Sequence, residues 1–202
     1  MIKNKTELKE YLDKDVLNYQ AVSGKLGLKS KLLNKLLSTP ISDQSKIWSY
    51  IKTLRFCEYY QYTKNNSLGW AKLYKTINYI YYLFKLRKLS RVTGFQIPPN
   101  TIGKGLTIYH WGPLIVNGFT KVGDYCTIRP DVVIGYKDKS GPAPIIGNNV
   151  VINSGCRIIG NGIIIGDNVI IAPGAVVTKS IPSDCIVAGV PAQIIKKIPT
   201  AQ

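Results

Sequence analysis

An aliphatic residue recurs at every sixth position through the second half of the chain, and this period constrains the fold more than any other feature. The aliphatic positions run in three groups: Val116, Val122, Ile128, Ile134; Ile146, Ile152, Ile158; and, one residue out of step, Ile159, Ile165, Ile171, Val177. A glycine follows several of them, at Gly123, Gly135, Gly147, Gly160 and Gly166. A period of six fits neither a helix nor an ordinary strand, whose periods are about 3.6 and 2 residues.

Three six-residue edges form one triangular coil of about 18 residues, in which each aliphatic side chain points inward and stacks on its equivalent one coil away. The residue after it lies near a corner, where a small side chain or a positive φ is favoured. The period therefore predicts a parallel β-helix over residues 96–202, and the protein is mainly β with a different N-terminal region. Asp124 and Asp167 each follow a corner glycine, so we expect them to be structural.

Two breaks interrupt the repeat. Residues 136–144 contain Gly141, Pro142 and Pro144 and cannot form an edge, so we predict a loop extruded from one corner. The second break separates Ile108 from Val116, which are eight residues apart instead of six. His110, the only histidine of the chain, lies in this second break.

Residues 1–95 have helical spacing and form a basic α-helical region. We predict a first helix capped by Thr6, a second over residues 26–37, a third from Ser42 through Tyr59, and a fourth from Leu68 to about Val92. A turn is expected at 65–67. This region has 18 Lys and Arg against 6 Asp and Glu, a net charge of +12 within a total of +16.

The segment from Trp70 to Lys85 is both aromatic and basic. The favoured interpretation is a packed helix with its lysines on the solvent side, and the alternative is a surface that contacts a membrane or anionic lipid.

No nucleic-acid-binding motif accompanies the positive charge, which argues against nucleic acid as a partner. No apolar run reaches the roughly 20 residues of a membrane span, and the first residues lack the apolar core of a signal peptide. We expect a cytoplasmic protein, with peripheral membrane contact left open.

The cysteines do not indicate a metal site. Cys57, Cys126, Cys156 and Cys185 form no C-x-x-C pair, and a single histidine is present. We predict buried, reduced thiols and no bound metal.

His110 is the one residue able to act as a histidine base. A neutral imidazole, with an unperturbed pKa of about 6.5, is suited to removing a hydroxyl proton during acyl transfer. The sequence has neither a phosphate-binding P-loop nor the G-x-S-x-G turn of hydrolases.

Four passages resemble the hexapeptide-repeat acyltransferases, in the serine acetyltransferase branch that includes enzymes acetylating surface polysaccharides. They are residues 105–110, the repeats from Val116 to Ile134, residues 147–166, and the ending from Val177 to Ala192 with Ala188-Gly189-Val190-Pro191-Ala192. The resemblance covers residues 97–198, about half of the chain.

The resemblance implies that the β-helix is left-handed and that the chain forms a homotrimer with acetyl-CoA between neighbouring subunits. It further implies His110 as general base, and a pantetheine groove lined by Gly135, Ser154 and Ala172. Lys179, Lys196 and Lys197 would meet the phosphates or adenine of coenzyme A, with ordinary surface charge as an equal alternative. The helices would allow a dimer of trimers.

Departures from the branch concern the acceptor. Tyr109 replaces an aspartate before the histidine, Pro142 and Ala143 replace an Arg-His pair, and Phe95 or Gln96 replaces an aspartate that orients the base. With these charges missing, a backbone carbonyl remains to orient His110. We therefore predict a sugar or lipid-linked sugar acceptor in surface polysaccharide synthesis, contacted by Tyr109, Trp111 and Asp131, the last as an acceptor-binding or histidine-orienting group. The alternatives are a serine acetyltransferase of cysteine biosynthesis and a catalytically silent scaffold.

Overall fold

The computed structural model describes residues 1–20, 42–136, 138 and 141–199. The chain divides into two compact units, Met1–Thr93 and Gly94–Gln202.

Three helices make up the described part of the first unit: α1 (Lys5–Gln20), α2 (Ser42–Asn65) and α3 (Gly69–Thr93). They match three of the predicted helices, and the predicted helix over 26–37 lies outside the described residues. The predicted cap at Thr6 is wrong. Asn4 precedes α1 and accepts a hydrogen bond from the Glu7 N–H at 2.9 Å, while the Glu7 carboxylate accepts one from the Lys3 N–H at 2.8 Å. Within the described ranges, no helix is both long and apolar enough to cross a membrane.

A buried ion-pair cluster joins α1 to α2. The Arg55 Nε lies 2.7 Å from the Asp15 carboxylate, and Arg55 Nη1 lies 3.1 Å from Glu58. All three side chains are almost fully buried, so each charge loses its hydration and needs its partners to compensate for that loss. Around them, α2 supplies a fully buried apolar row of Ile47, Tyr50, Ile51 and Leu54.

Helix α3 packs on α2 through aromatic rings. Tyr82 stacks on both Phe56 and Tyr60, and its ring centre lies 4.9 Å from that of Phe56 and 5.5 Å from that of Tyr60. The expectation of a packed helix is confirmed, but its solvent side carries large apolar side chains as well as lysines.

The second unit consists of short strands in three sheets. Sheet A contains β1 (Phe95–Gln96), β3 (Leu114–Val116), β6 (Val132–Gly135), β9 (Arg157–Ile159) and β12 (Val176–Val177). Sheet B contains β4 (Lys121–Val122), β7 (Ile145–Ile146) and β10 (Ile164–Ile165). Sheet C contains β2 (Thr107–Ile108), β5 (Thr127–Ile128), β8 (Val151–Ile152), β11 (Ile170–Ile171), β13 (Cys185–Ala188) and β14 (Gln193–Lys197). Every pair is parallel except β13–β14.

The predicted inward columns are present. In sheet A, Val116 pairs with Ile134, Ile134 with Ile158 and Ile158 with Val177, and all are buried. The placement of Ile159 in this series is wrong, because it is only partly buried while Ile158 points inward and is fully buried. The extra residue is absorbed in the turn at 160–162, before the inward position resumes at Ile165.

The corner between sheets B and C is closed by a ladder of polar side chains, which confirms the structural role of Asp124 and Asp167. Each accepts a hydrogen bond from the backbone of the preceding coil: Asp124 from the Lys104 N–H at 3.0 Å and Asp167 from the Asn148 N–H at 2.6 Å. Gly147 is required here, because a Cβ on it would lie 2.8 Å from the carbonyl carbon of Gly166.

Candidate active site

The candidate site lies where the chain turns from sheet C into sheet A, which we call the His110 corner. Its turns are 109–113, 129–131, 153–156 and 172–175, one above the other, and the hairpin turn 189–192 between β13 and β14 follows them. Backbone hydrogen bonds connect successive turns, from the Asp131 N–H to the Pro113 carbonyl at 2.6 Å and from the Gly174 N–H to the Ser154 carbonyl at 2.9 Å. A column of turns in fixed register holds side chains from different coils side by side.

His110 stands on the first turn of this corner. The strands β2 and β3 bury Ile108 and Leu114, whereas Tyr109, His110 and Trp111 between them are exposed. The enlarged spacing from Ile108 to Val116 thus pushes three side chains out of the coil. The turn is tight at Gly112, whose φ is 142° and whose Cβ would lie 3.0 Å from the Pro130 Cβ.

No hydrogen bond or ion pair holds the His110 imidazole among the residues that the structure describes. The expected backbone carbonyl that would orient the ring is therefore not found in that part of the chain. Phe95, at the position of the aspartate that orients the base in the resembling branch, is fully buried in β1 and pairs with Leu114.

Arg129 is a neighbour of Tyr109 that was not predicted from the sequence. Because Ile108 pairs with Ile128, the residues that follow these strands, Tyr109 and Arg129, lie next to each other on neighbouring coils. The Arg129 guanidinium carbon lies 5.8 Å from the centre of the Tyr109 ring, within reach of a cation–π interaction. The repeat register alone predicts this neighbour once the coils are aligned.

Asp131 occupies the turn below His110 and has a positive φ of 59°. Its carboxylate lies 2.9 Å from the Arg157 guanidinium, which also donates hydrogen bonds to the carbonyls of Asp131 and Cys156. Both side chains are partly exposed, Asp131 at 56 % and Arg157 at 36 %. The corner therefore presents two cations and one anion to solvent next to the turn that carries His110.

The residues expected to line a pantetheine groove lie in two places. Ser154 and Ala172 lie in successive turns of the His110 corner. Gly135 is at the far end of β6, a strand that starts at this corner and spans about 10 Å. Of the expected phosphate ligands, Lys179 follows β12 and Lys196 lies on β14, and both are exposed.

The thiols are buried and protonated at neutral pH. Burial raises the pKa of Cys126 to about 11 and also raises that of Cys156, which lies at the His110 corner and donates to the Ala172 carbonyl at 3.1 Å. A thiol in this state is a poor nucleophile. Within the described ranges, no group of three His, Cys, Asp or Glu side chains is arranged to hold a metal ion.

Short parallel strands in three sheets, one on each face of a coil, define a left-handed parallel β-helix protein. No family model matches the sequence. Curated relatives match the sequence. A serine acetyltransferase of Synechococcus elongatus is 42 % identical over 114 residues, covering 54 % of this chain and 46 % of the relative. One of Staphylococcus epidermidis is 39 % identical over 130 residues, covering 62 % of this chain and 60 % of the relative. The chain thus spans about half of the length of these relatives.

Solved structures agree with the sequence relatives. Serine acetyltransferase of Brucella abortus in complex with coenzyme A has 28 % identity and a TM-score of 0.68, covering 98 % of this chain and 71 % of that one. The Neisseria gonorrhoeae enzyme in complex with serine has 25 % identity and a TM-score of 0.63, covering 95 % and 70 % of the two chains. Fold and sequence are both similar to those of the hexapeptide-repeat acyltransferase superfamily.

These likenesses overturn the prediction of a sugar acceptor in surface polysaccharide synthesis, because the relatives are serine acetyltransferases at 35–42 % identity. The prediction was wrong because it was argued from charges missing at a few positions. The absence of charged residues at positions 109, 142 and 143 does not make the site neutral when other turns supply charged side chains. Here Arg129 and Asp131 supply it from the next coil.

Proposed function

We propose that this protein transfers the acetyl group of acetyl-CoA to the hydroxyl of free serine, with His110 as general base. The observation that carries the proposal is the exposed His110 on the enlarged turn of a chain that is 42 % identical over 114 residues to a serine acetyltransferase. The coenzyme A complex of a solved relative supports acetyl-CoA as the donor.

In this reaction His110 accepts the proton of the serine hydroxyl as its oxygen attacks the thioester carbonyl. The carbon–sulfur bond then breaks, and the coenzyme A sulfur leaves with a proton returned from the imidazolium. An imidazole suits both transfers because its usual pKa lies close to neutral pH. The products are O-acetylserine and coenzyme A, and no metal or redox group is needed.

Serine is a zwitterion, so its site needs a cation for the carboxylate and an anion for the ammonium group, which are both attached to the carbon next to the reacting CH2OH group. Arg129 offers the cation for the carboxylate, and Asp131 offers the anion for the ammonium group. Tyr109 and Trp111 flank the histidine, and their rings would shield the reacting atoms from water once serine is bound. This arrangement replaces the charged groups that are absent at positions 109, 142 and 143.

For the donor, Ser154 and Ala172 offer backbone groups beside the histidine turn, where the thioester end of pantetheine must lie. Gly135, Lys179 and Lys196 lie farther away, which suits contacts with the remote arm and the phosphates. In a homotrimer, such a groove would lie between the β-helices of neighbouring subunits. The half-exposed Ile145 and Ile164, which pair on the outer face of sheet B, are suited to burial against a second copy.

The test is the release of coenzyme A from acetyl-CoA by the purified full chain with L-serine, serine methyl ester or N-acetylserine. We expect release with L-serine and at least tenfold lower kcat/KM when either charge is removed, since each loses a charge-assisted hydrogen bond. Equal rates with all three acceptors, or no serine-dependent release, would refute the proposal.

A further inference from the structure

Helix α3 exposes a continuous stripe of large apolar side chains, which we call the α3 stripe. It consists of Trp70, Leu73, Tyr74, Ile77, Ile80, Tyr81 and Phe84. Their spacing of three or four residues places them on one face of the helix, over a length of about 21 Å. The opposite face, which includes Tyr82, packs on α2.

The size of the α3 stripe is unusual for a surface in water. Trp70 is 85 % exposed, Phe84 63 %, Tyr74 62 % and Tyr81 58 %. With about 200 Å² per ring side chain, these four alone expose on the order of 500 Å². Contiguous apolar patches on soluble monomers rarely exceed a few hundred Å², and larger ones mark sites of association.

The charge of α3 has a single sign. The helix carries the cations Lys72, Lys75, Lys85, Arg87, Lys88 and Arg91, and no Asp or Glu lies between Gly69 and Thr93. Lys85, Arg87, Lys88 and Arg91 are exposed and continue from the C-terminal end of the stripe. An apolar aromatic stretch therefore adjoins a cationic one along the same helix.

This combination favours one occupant over the others. A second copy of the chain would bring two such cationic helices together without an opposing charge, which like-charge repulsion disfavours. An acidic protein surface would pair with the cations but would offer no apolar surface to bury the α3 stripe. An anionic bilayer satisfies both, because its interface accepts Trp and Tyr rings while lysine and arginine extend to the headgroups.

We propose that the α3 stripe and its adjoining cations dock onto an anionic lipid surface, with α3 lying in the interfacial plane. The contact that we propose is peripheral and reversible, because it uses one apolar face of a single helix and its adjoining cations. The proposal is independent of the acetyl-transfer reaction.

The experiment is co-sedimentation of the full chain with phosphatidylcholine vesicles that contain none or about 30 % phosphatidylglycerol. We expect binding only to the anionic vesicles, with affinity falling as salt rises. The substitution pair Trp70→Ser and Phe84→Ser should lower the partition coefficient by at least about tenfold. The triple change Lys85→Glu, Arg87→Glu and Lys88→Glu should lower it by more than about a hundredfold, since each charge near such a surface contributes about fivefold.

Matched controls separate the stripe from charge and exposure in general. Lys5→Glu, Lys9→Glu and Lys14→Glu change the net charge equally, on exposed positions of α1, and should retain binding. Phe119→Ser removes an exposed ring from the β-helix and should also retain it. Equal loss in the α1 triple variant would overturn the proposal.

The oligomeric state distinguishes the competing occupant. If the wild type ignores anionic vesicles while Trp70→Ser and Phe84→Ser reduce its mass in light scattering, the stripe binds a second copy and the proposal is wrong. Helicity measured by circular dichroism verifies that each variant is folded, without reference to acetyltransferase activity.

Discussion

Asp131 and Arg157 form an ion pair of 2.9 Å between neighbouring coils, directly below the turn that carries His110. The Asp131 N–H is in turn bound to the Pro113 carbonyl at 2.6 Å. The pair therefore fixes an anion relative to the histidine turn while leaving more than half of the carboxylate side chain exposed. A fixed, accessible anion can bind the ammonium group of an amino acid.

Replacing Asp131 by Asn should raise the KM for L-serine by about tenfold to a hundredfold, because a charge-assisted hydrogen bond to the ammonium group is lost. The thermal midpoint should hardly change, since exposed ion pairs contribute about 0–1 kcal/mol. Arg157→Ala is the matched control, since it breaks the pair but keeps the carboxylate. If both variants raise KM equally, the pair only shapes the turn and Asp131 does not contact serine.

Replacing His110 by Ala should lower kcat about a hundredfold to ten-thousandfold, the usual contribution of a general base. The dissociation constant of acetyl-CoA, measured by calorimetry, should stay the same because the proposed donor groove lies on other turns. Phe119→Ala, at an exposed position of the next corner, serves as a control. Activity that survives His110→Ala would assign the base to another group.

The buried cluster of Arg55, Asp15 and Glu58 should dominate the stability of the helical unit. Asp15→Ala leaves Arg55 with one of its two carboxylates and should reduce the free energy of unfolding by about 3–5 kcal/mol. Asp13→Ala, two residues away on the exposed side of α1, should change it by less than about 0.5 kcal/mol. Urea unfolding followed by circular dichroism compares the two, and similar losses would mean that the cluster is not special.

The six-residue period was sufficient to predict the β-helix, its inward columns and the break in the repeat at His110, because stacking depends only on register. Ile159 was misplaced because a turn can absorb one residue without changing the coil. The same register would have brought Arg129 to Tyr109, but long-range neighbours become visible only after the coils are aligned. The exposed side of α3 could not be predicted, because apolar residues surround the helix and their periodicity does not say which face finds a partner.

The corner between sheets B and C should tolerate no added carbon. Gly147→Ala places a Cβ 2.8 Å from the Gly166 backbone, and the overpacking should cost about 1–3 kcal/mol of stability. Gly135→Ala meets nothing within 4 Å and should be neutral within about 0.5 kcal/mol. Thermal unfolding of the two variants tests this difference. Equal midpoints would show that the corner relaxes to accept the methyl group.

The buried thiols should make the fold sensitive to alkaline pH. Burial raises the pKa of Cys126 to about 11, and burial together with the nearby Glu58 raises that of Cys57 to about 12. An unfolded thiol has a pKa of about 8.5, so the stabilisation is complete below that pH and is lost progressively as pH rises toward 11 or 12. The thermal unfolding midpoint should therefore decrease as the pH is raised from 8.5 to 11, and it should decrease less in Cys126→Ala.

In the native protein at pH 8, Cys126 should react with a thiol reagent more than about a hundredfold more slowly than in the unfolded chain, because its thiolate fraction is so small. Rapid native labelling of Cys126, located by peptide mass, would contradict its burial.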